Sequence, residues 1–209
     1  MKKIRPIRIF WQDGVTQKQI SVAVKAINML LKLANLEGKI EVQFSSEFIN
    51  PTSHKDTDVE SKFFGHYDAE KVLKDYSYLQ KLNDYNEYYA LVLMRDKIFL
   101  NTDEGVKTIA GAAITETGVS VVHVDYDFLF NFNRARILNV FCVVIHELGH
   151  IFNLPSEERK EEIELSPINK TRHCANKCVM YHTIKKTFYK KDLFCPTCLR
   201  ELHEYLEKE

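Results

Sequence analysis

The strongest constraint in this chain is a five-residue run that closes its most apolar helix. Residues 133–152 carry Ile137, Val140, Phe141, Val144, Ile145 and Leu148 at helical spacing, and the segment ends in His146-Glu147-Leu148-Gly149-His150. Four residues span just over one helical turn, so both imidazoles leave the same face with Cβ atoms about 6 Å apart. Two uncompensated imidazoles on so apolar a helix would be costly to bury. A shared ion removes that cost, because both nitrogens can reach one tetrahedral zinc at about 2.0–2.1 Å. Glu147, beside the first imidazole, can then meet a zinc-bound water, whose pKa falls toward about 7, and take its proton as it attacks a carbonyl. The competing reading is a helix that displays two histidines and binds nothing.

The rest of the chain supplies a scaffold for that helix. Residues 3–11 read as a strand, Thr16 as the cap of a helix through Ala34 that Gly38 follows, and residues 39–44 as a second strand. Residues 45–66 are polar and irregular, 68–83 helical, and 88–94 apolar enough for a buried strand; a further strand at 98–101 follows a turn near Asp96. Two β-rich runs, 108–115 and 118–125, flank a turn at Thr117–Gly118, and 192–209 reads as a terminal helix. This order implies an α+β or α/β chain with a mixed sheet. Two parts are expected: residues 1–153, ending with the long helix, and a smaller part over 154–209. The stretch from Pro155 to Asn169 reads as a charged, exposed excursion, with eight charged residues between Glu157 and Lys170.

The 209 residues hold 29 Lys plus Arg against 29 Asp plus Glu, so net charge points to neither nucleic acid nor a membrane surface as partner. The first apolar run is broken by Arg5, Pro6 and Arg8, and no segment approaches the roughly 20 apolar residues of a spanning helix, so a cytoplasmic protein is expected. Of the five cysteines, Cys174, Cys178, Cys195 and Cys198 crowd into the last 36 residues. Without a secretory signal, that clustering reads as metal ligation before disulfides. Four thiolates close a tetrahedral structural zinc site whose net charge is −2, and the seven Lys or Arg residues from Lys170 to Lys191 would offset it. Cys142, on the apolar helix, reads as core. Arg134 and Arg136 at that helix's start read as surface.

The motifs taken together resemble the archaemetzincins, a family of metzincin-like zinc peptidases. His146-Glu147-Leu148-Gly149-His150 is followed by His173-Cys174-Ala175-Asn176-Lys177-Cys178-Val179-Met180 and then by Cys195-Pro196-Thr197-Cys198. The family pattern is similar to H-E-x-x-H-x-x-G-x-x-H-C, C-x-M after a spacer, and a later C-x-x-C. The resemblance implies a zincin-like twisted mixed sheet and a catalytic zinc on His146, His150 and His173 with Glu147 as base. It also implies a structural zinc on Cys174, Cys178, Cys195 and Cys198, and Met180 in the turn beneath the catalytic site. The chain departs from the pattern at three points. Asn153 stands where the family has glycine, 19 residues (154–172) separate Asn153 from His173 where the family has two, and three rather than four residues separate Cys174 from Cys178. Tyr181 and His182 are candidates to line the pocket and steady an oxyanion. By analogy with zincin-like folds, residues 111–116 are the strand on which a peptide substrate would lie.

The expectation is thus a zinc-dependent metallopeptidase that acts on a peptide or protein substrate. The alternatives are an inactive metzincin-like scaffold, in which the inserted residues cap the cleft, and a zinc-stabilised binding module.

Overall fold

The computed structural model describes residues 5–45, 55–57, 65–82, 87–124, 134–182 and 193–208. Its centre is a mixed five-stranded sheet in the order β2-β1-β4-β8-β7. The strands are β1 (Ile7–Trp11), β2 (Val42–Phe44), β4 (Tyr89–Met94), β7 (Gly111–Ile114) and β8 (Val119–His123). The first four in spatial order run parallel, and β7 pairs antiparallel to β8 at one end. A parallel pair needs a crossover. Helix α1 (Gln17–Leu33) supplies it between β1 and β2, and Thr16 starts that helix with a capping box, its hydroxyl accepting from Gln19 N and the Gln19 amide oxygen accepting from Thr16 N at 2.7 Å.

Strand β4 is the sheet's axis, with all six residues fully buried. Successive side chains point to opposite faces, so Tyr89, Leu91 and Leu93 enter one core and Ala90, Val92 and Met94 the other. On the first face lie α1 and α3 (Arg134–Ile151), through Ala23, Ile27, Leu30, Val144, Ile145 and Leu148. On the second lies α2 (Ala69–Leu82), through Val72, Leu73 and Tyr76. A small sheet of β3 (Tyr67–Asp68), β5 (Ile98–Thr102) and β6 (Gly105–Ile109) adjoins this second face, and Ile98 belongs to its core. Cys142 is core, as expected. The α+β architecture agrees closely with the sequence reading.

Three local differences matter. The β-rich run 108–115 divides at Ala110, so that β6 pairs with β5 while β7 joins the central sheet. Helix α1 is closed by Asn35, at φ 57°, ahead of Gly38. The stretch expected as an exposed excursion contains β9 (Ile163–Leu165), which pairs antiparallel with β10 (Arg172–Cys174), and it buries Arg159 and Ser166. The last helix, α4 (Pro196–Lys208), turns Leu202 and Leu206 into the first core, and His203 Nε2 lies 2.9 Å from the Leu33 carbonyl at the end of α1. No helix among the described residues is long and apolar enough to cross a membrane. Expectations for residues 3–4, 46–54 and 58–64, and for 183–192, fall outside the described residues.

The exit from α3 sets the direction in which the chain leaves the histidine-bearing helix. Asn153 N–H donates to His150 O at 3.0 Å and Leu154 N–H to Gly149 O at 2.9 Å, the double closure of a Schellman turn. The turn requires a left-handed residue, and Asn153 has φ 57°. Asparagine tolerates that region where a branched side chain does not. Asn153→Val should therefore cost about 1–2 kcal/mol in denaturant unfolding, whereas Asn153→Gly should stay close to the parent. Equal stability of the two variants would show that the turn does not depend on this conformation.

Candidate metal centres

Helix α3 places His146 and His150 one turn apart, and their Nε2 atoms come to 3.1 Å from each other. His173 arrives from β10, its ring stacked on His146 at 5.1 Å and edge-on to His150 at 4.9 Å between centroids. One ring nitrogen from each of the three lies within 4.8 Å of the others. Backbone carbonyls set the rings. His146 Nδ1 is 2.7 Å from Val179 O, and His173 Nδ1 is 3.0 Å from Thr171 O. Each of these Nδ1 atoms donates to its carbonyl, so the lone pair sits on Nε2, the arrangement that metal-binding histidines adopt. Around one tetrahedral ion with bonds of about 2.05 Å, neighbouring nitrogens stand about 3.3 Å apart, close to the spacing seen here.

Glu147 lies beside this group and is almost entirely buried. Its floor is β7. A Cβ added to Gly111 would stand 2.6 Å from Glu147 Oε1 and 2.7 Å from its Cγ, so the carboxylate occupies the space that the missing side chain leaves. Gly149 has a matching role on the helix, where an added Cβ would collide with Met180 Sδ. Met180 is fully buried beneath the histidine-bearing turn. Thr115 Oγ1 donates to His150 O at 2.8 Å and ties the end of β7 to the same turn.

Burial governs the electrostatics. It pushes the Glu147 carboxyl up to about 8. It lowers His146 to about 4, with a smaller contribution from His173, and holds His150 well below and His173 below the ordinary imidazole value of 6.5. All three imidazoles are therefore neutral at pH 7, the form in which they bind a metal ion.

The second group lies on the other side of β10. Cys174, Cys178, Cys195 and Cys198 are buried, with all four sulfurs within 4.8 Å of one another. Cys174 Sγ to Cys195 Sγ is 3.6 Å and Cys178 Sγ to Cys198 Sγ 3.8 Å, far beyond a disulfide bond. A tetrahedron with zinc–sulfur bonds of about 2.3 Å has edges of about 3.8 Å, so the four sulfurs already have the spacing of such a site. Backbone amides of Asn176 and Cys198 donate to Cys174 Sγ at 3.4 Å and Cys195 Sγ at 3.5 Å. The donor sets and spacings of both groups fit a bound metal ion.

The structure thus brings together His146, His150 and His173 in one group and the four cysteines in the other, with Glu147 against the first. Among the described residues, His66, His123, His182 and His203 join neither group. His182 stands nearby, 6.4 Å from His173 between ring centroids, with Nδ1 3.5 Å from Glu164 Oε2, and Tyr181 packs against it at 4.3 Å. Glu164 is the cross-strand partner of His173, so the inserted hairpin directs a carboxylate to the same face as that imidazole. Sequence reasoning does not find the approach of Gly111 to Glu147, the Val179 carbonyl, Arg159 or Glu164. The first two act through space or backbone, which a motif does not show.

No family model matches the chain, and no curated protein matches it. Among solved structures, an archaemetzincin from Methanopyrus kandleri is similar to it, with a TM-score of 0.67 over 99 % of this chain and 97 % of that one, at 20 % identity. The chain has the fold of that archaemetzincin, and its histidines and cysteines form the two clusters that the motif resemblance implies.

Metal-free protein should show a stability maximum near pH 6.5–7. Below that range the unfolded chain binds more protons than the native one, because native His146 titrates only at about 4, and His150 and His173 are also lowered. Stability therefore falls as pH falls from 6.5 to about 4, by about 3 kcal/mol from His146 alone. Glu147 acts in the opposite sense from about 4.5 upward, and above the maximum it acts alone among these four groups. Its native carboxyl retains a proton up to about 8, so stability declines as pH rises toward that value, and Glu147→Gln should remove this decline. Chemical unfolding of chelator-treated protein from pH 4 to 9 would measure both limbs; a flat profile contradicts the burial argument.

Proposed function

We propose that the chain is a zinc-dependent metallopeptidase, with His146, His150 and His173 holding the catalytic zinc, Glu147 serving as general base, and the four cysteines holding a structural zinc. The observation that carries this is the buried Glu147 carboxylate set against three imidazoles whose nitrogens converge on one point. A zinc ion held there supplies Lewis acidity, which acidifies a water and polarises a carbonyl. Every other part of the chemistry falls to the chain.

Glu147 is held between the helix and Gly111, where it can take the proton of the attacking water and later deliver it to the leaving amine. Burial alone raises its proton affinity above that of an ordinary carboxylate, and a zinc ion beside it would favour the ionised form that accepts a proton. The neighbouring strand β7 ends the central sheet, so an extended peptide can add to it as a further strand and bring a carbonyl past the histidines. Residues 111–116 fit that role in this reading. His182 lies 6.4 Å from His173 between ring centroids with Tyr181 packed against it, and in this reading the two steady charge that develops on the carbonyl oxygen. The archaemetzincin fold supports the same reading.

Two substitutions test it. Glu147→Ala should lower hydrolysis of a quenched-fluorescent peptide mixture by about 10²–10⁴-fold, with zinc content unchanged by elemental analysis. A wild-type enzyme that cleaves no peptide, or a variant that cleaves as fast, rules out this mechanism. Gly111→Ala should keep both metal groups but push the carboxylate aside, and a displacement of about 1 Å can cost about 10²-fold in rate.

A further inference from the structure

The inserted residues 154–172 hold a buried cation against the cysteine group. Arg159 is 8 % exposed although it sits in the run Glu157-Glu158-Arg159-Lys160-Glu161-Glu162, which reads as solvated. Its Nη1 donates to Cys198 Sγ and its Nη2 to Cys174 Sγ, both at 3.3 Å. The remaining donors are also used. Nε donates to Glu161 O at 3.2 Å, Nη1 to Glu201 Oε2 at 3.4 Å and Nη2 to Glu162 Oε2 at 3.1 Å. The segment is held in turn by Arg172, which donates to the carbonyls of Ser156 (3.2 Å) and Arg159, and by Ser156 N–H, which donates to Glu201 Oε2 at 3.3 Å.

We propose that Arg159 is the fixed counter-charge of the four-thiolate metal site, and that the inserted segment is a working part of that site. Four thiolates on a divalent ion leave a net charge of −2 in a buried place, where an uncompensated charge is expensive. Of the basic run 170–191, expected from sequence to offset it, Lys170 and Lys177 are exposed, Arg172 donates to backbone carbonyls, and the other four basic residues lie outside the described residues. Arg159 alone among the described cations has nitrogens within hydrogen-bonding distance of the sulfurs. Its planar fork reaches a sulfur with each terminal nitrogen, which a lysine's single ammonium cannot reproduce. It also separates Glu201 and Glu162 from sulfurs that would repel them. Arg159 is a positioning residue: it touches ligands, and acts on the ion through them.

This inference rests on the reading that the four sulfurs hold zinc, and is independent of any peptidase activity. The test compares wild-type protein, Arg159→Lys and the paired variant Arg159→Gln/Glu201→Gln. The second substitution of the pair removes the carboxylate that would be stranded, which protects folding. Zinc transfer to a chromophoric chelator should show the paired variant binding at the cysteine site about 10–100-fold more weakly, with Arg159→Lys between it and the wild type. After cobalt substitution, the sulfur-to-metal charge-transfer band should move to longer wavelength in the same order, because lost donors leave the thiolates easier to oxidise. A role confined to packing would not move that band. Wild-type zinc affinity in Arg159→Lys and in the folded paired variant overturns the assignment. Wild-type protein with no metal on its sulfurs overturns both the assignment and the reading beneath it.

Discussion

The approach of the His146 and His150 nitrogens to 3.1 Å, with His173 closing the third side, is the constraint on which the other features depend. Two buried imidazoles and a half-buried third, all neutral, oppose folding unless something uses their lone pairs. The surrounding structure is arranged to hold them in that unfavourable convergence. Val179 O fixes the first ring, Thr171 O the third, and Met180 fills the space under the turn where Gly149 has no side chain. Such a concentration of groups held against their own solvation is typical of a site that performs chemistry.

The histidine group and the cysteine group are joined through consecutive residues of β10. His173 faces the imidazole group and Cys174, the next residue of β10, faces the sulfurs, as alternation along a strand requires. The cysteine group therefore sets where the third imidazole stands. This gives the inserted residues a reason to be ordered. They return the chain from the Schellman turn at Asn153, form β9 alongside β10, and seat Arg159 on two of the sulfurs.

Much of this is legible in the sequence because it is local. Helical periodicity puts His146 and His150 on one face, alternation and apolar runs locate β1 and β4, and Thr16 marks the start of α1 correctly. Asn153 stands at the family's glycine position, and its φ of 57° is one that asparagine tolerates. The features that sequence does not show depend on contacts between distant segments. The division of the 108–115 run into two sheets comes from separate partners, β5 and β8, and Gly111 matters only because Glu147 lies across from it. Arg159 is hidden by its neighbours, since five charges around it match a solvated loop, and only the fold reveals that it points inward.

The central claim is that the histidine group holds a metal ion of its own. X-ray absorption at the zinc edge, on purified protein with its metal content determined, tests it most directly. Two zinc ions per chain should give a nitrogen and oxygen shell at about 2.0–2.1 Å and a four-sulfur shell at about 2.3 Å, in equal proportion. A spectrum fitted by sulfur alone, with one zinc per chain, would contradict the account.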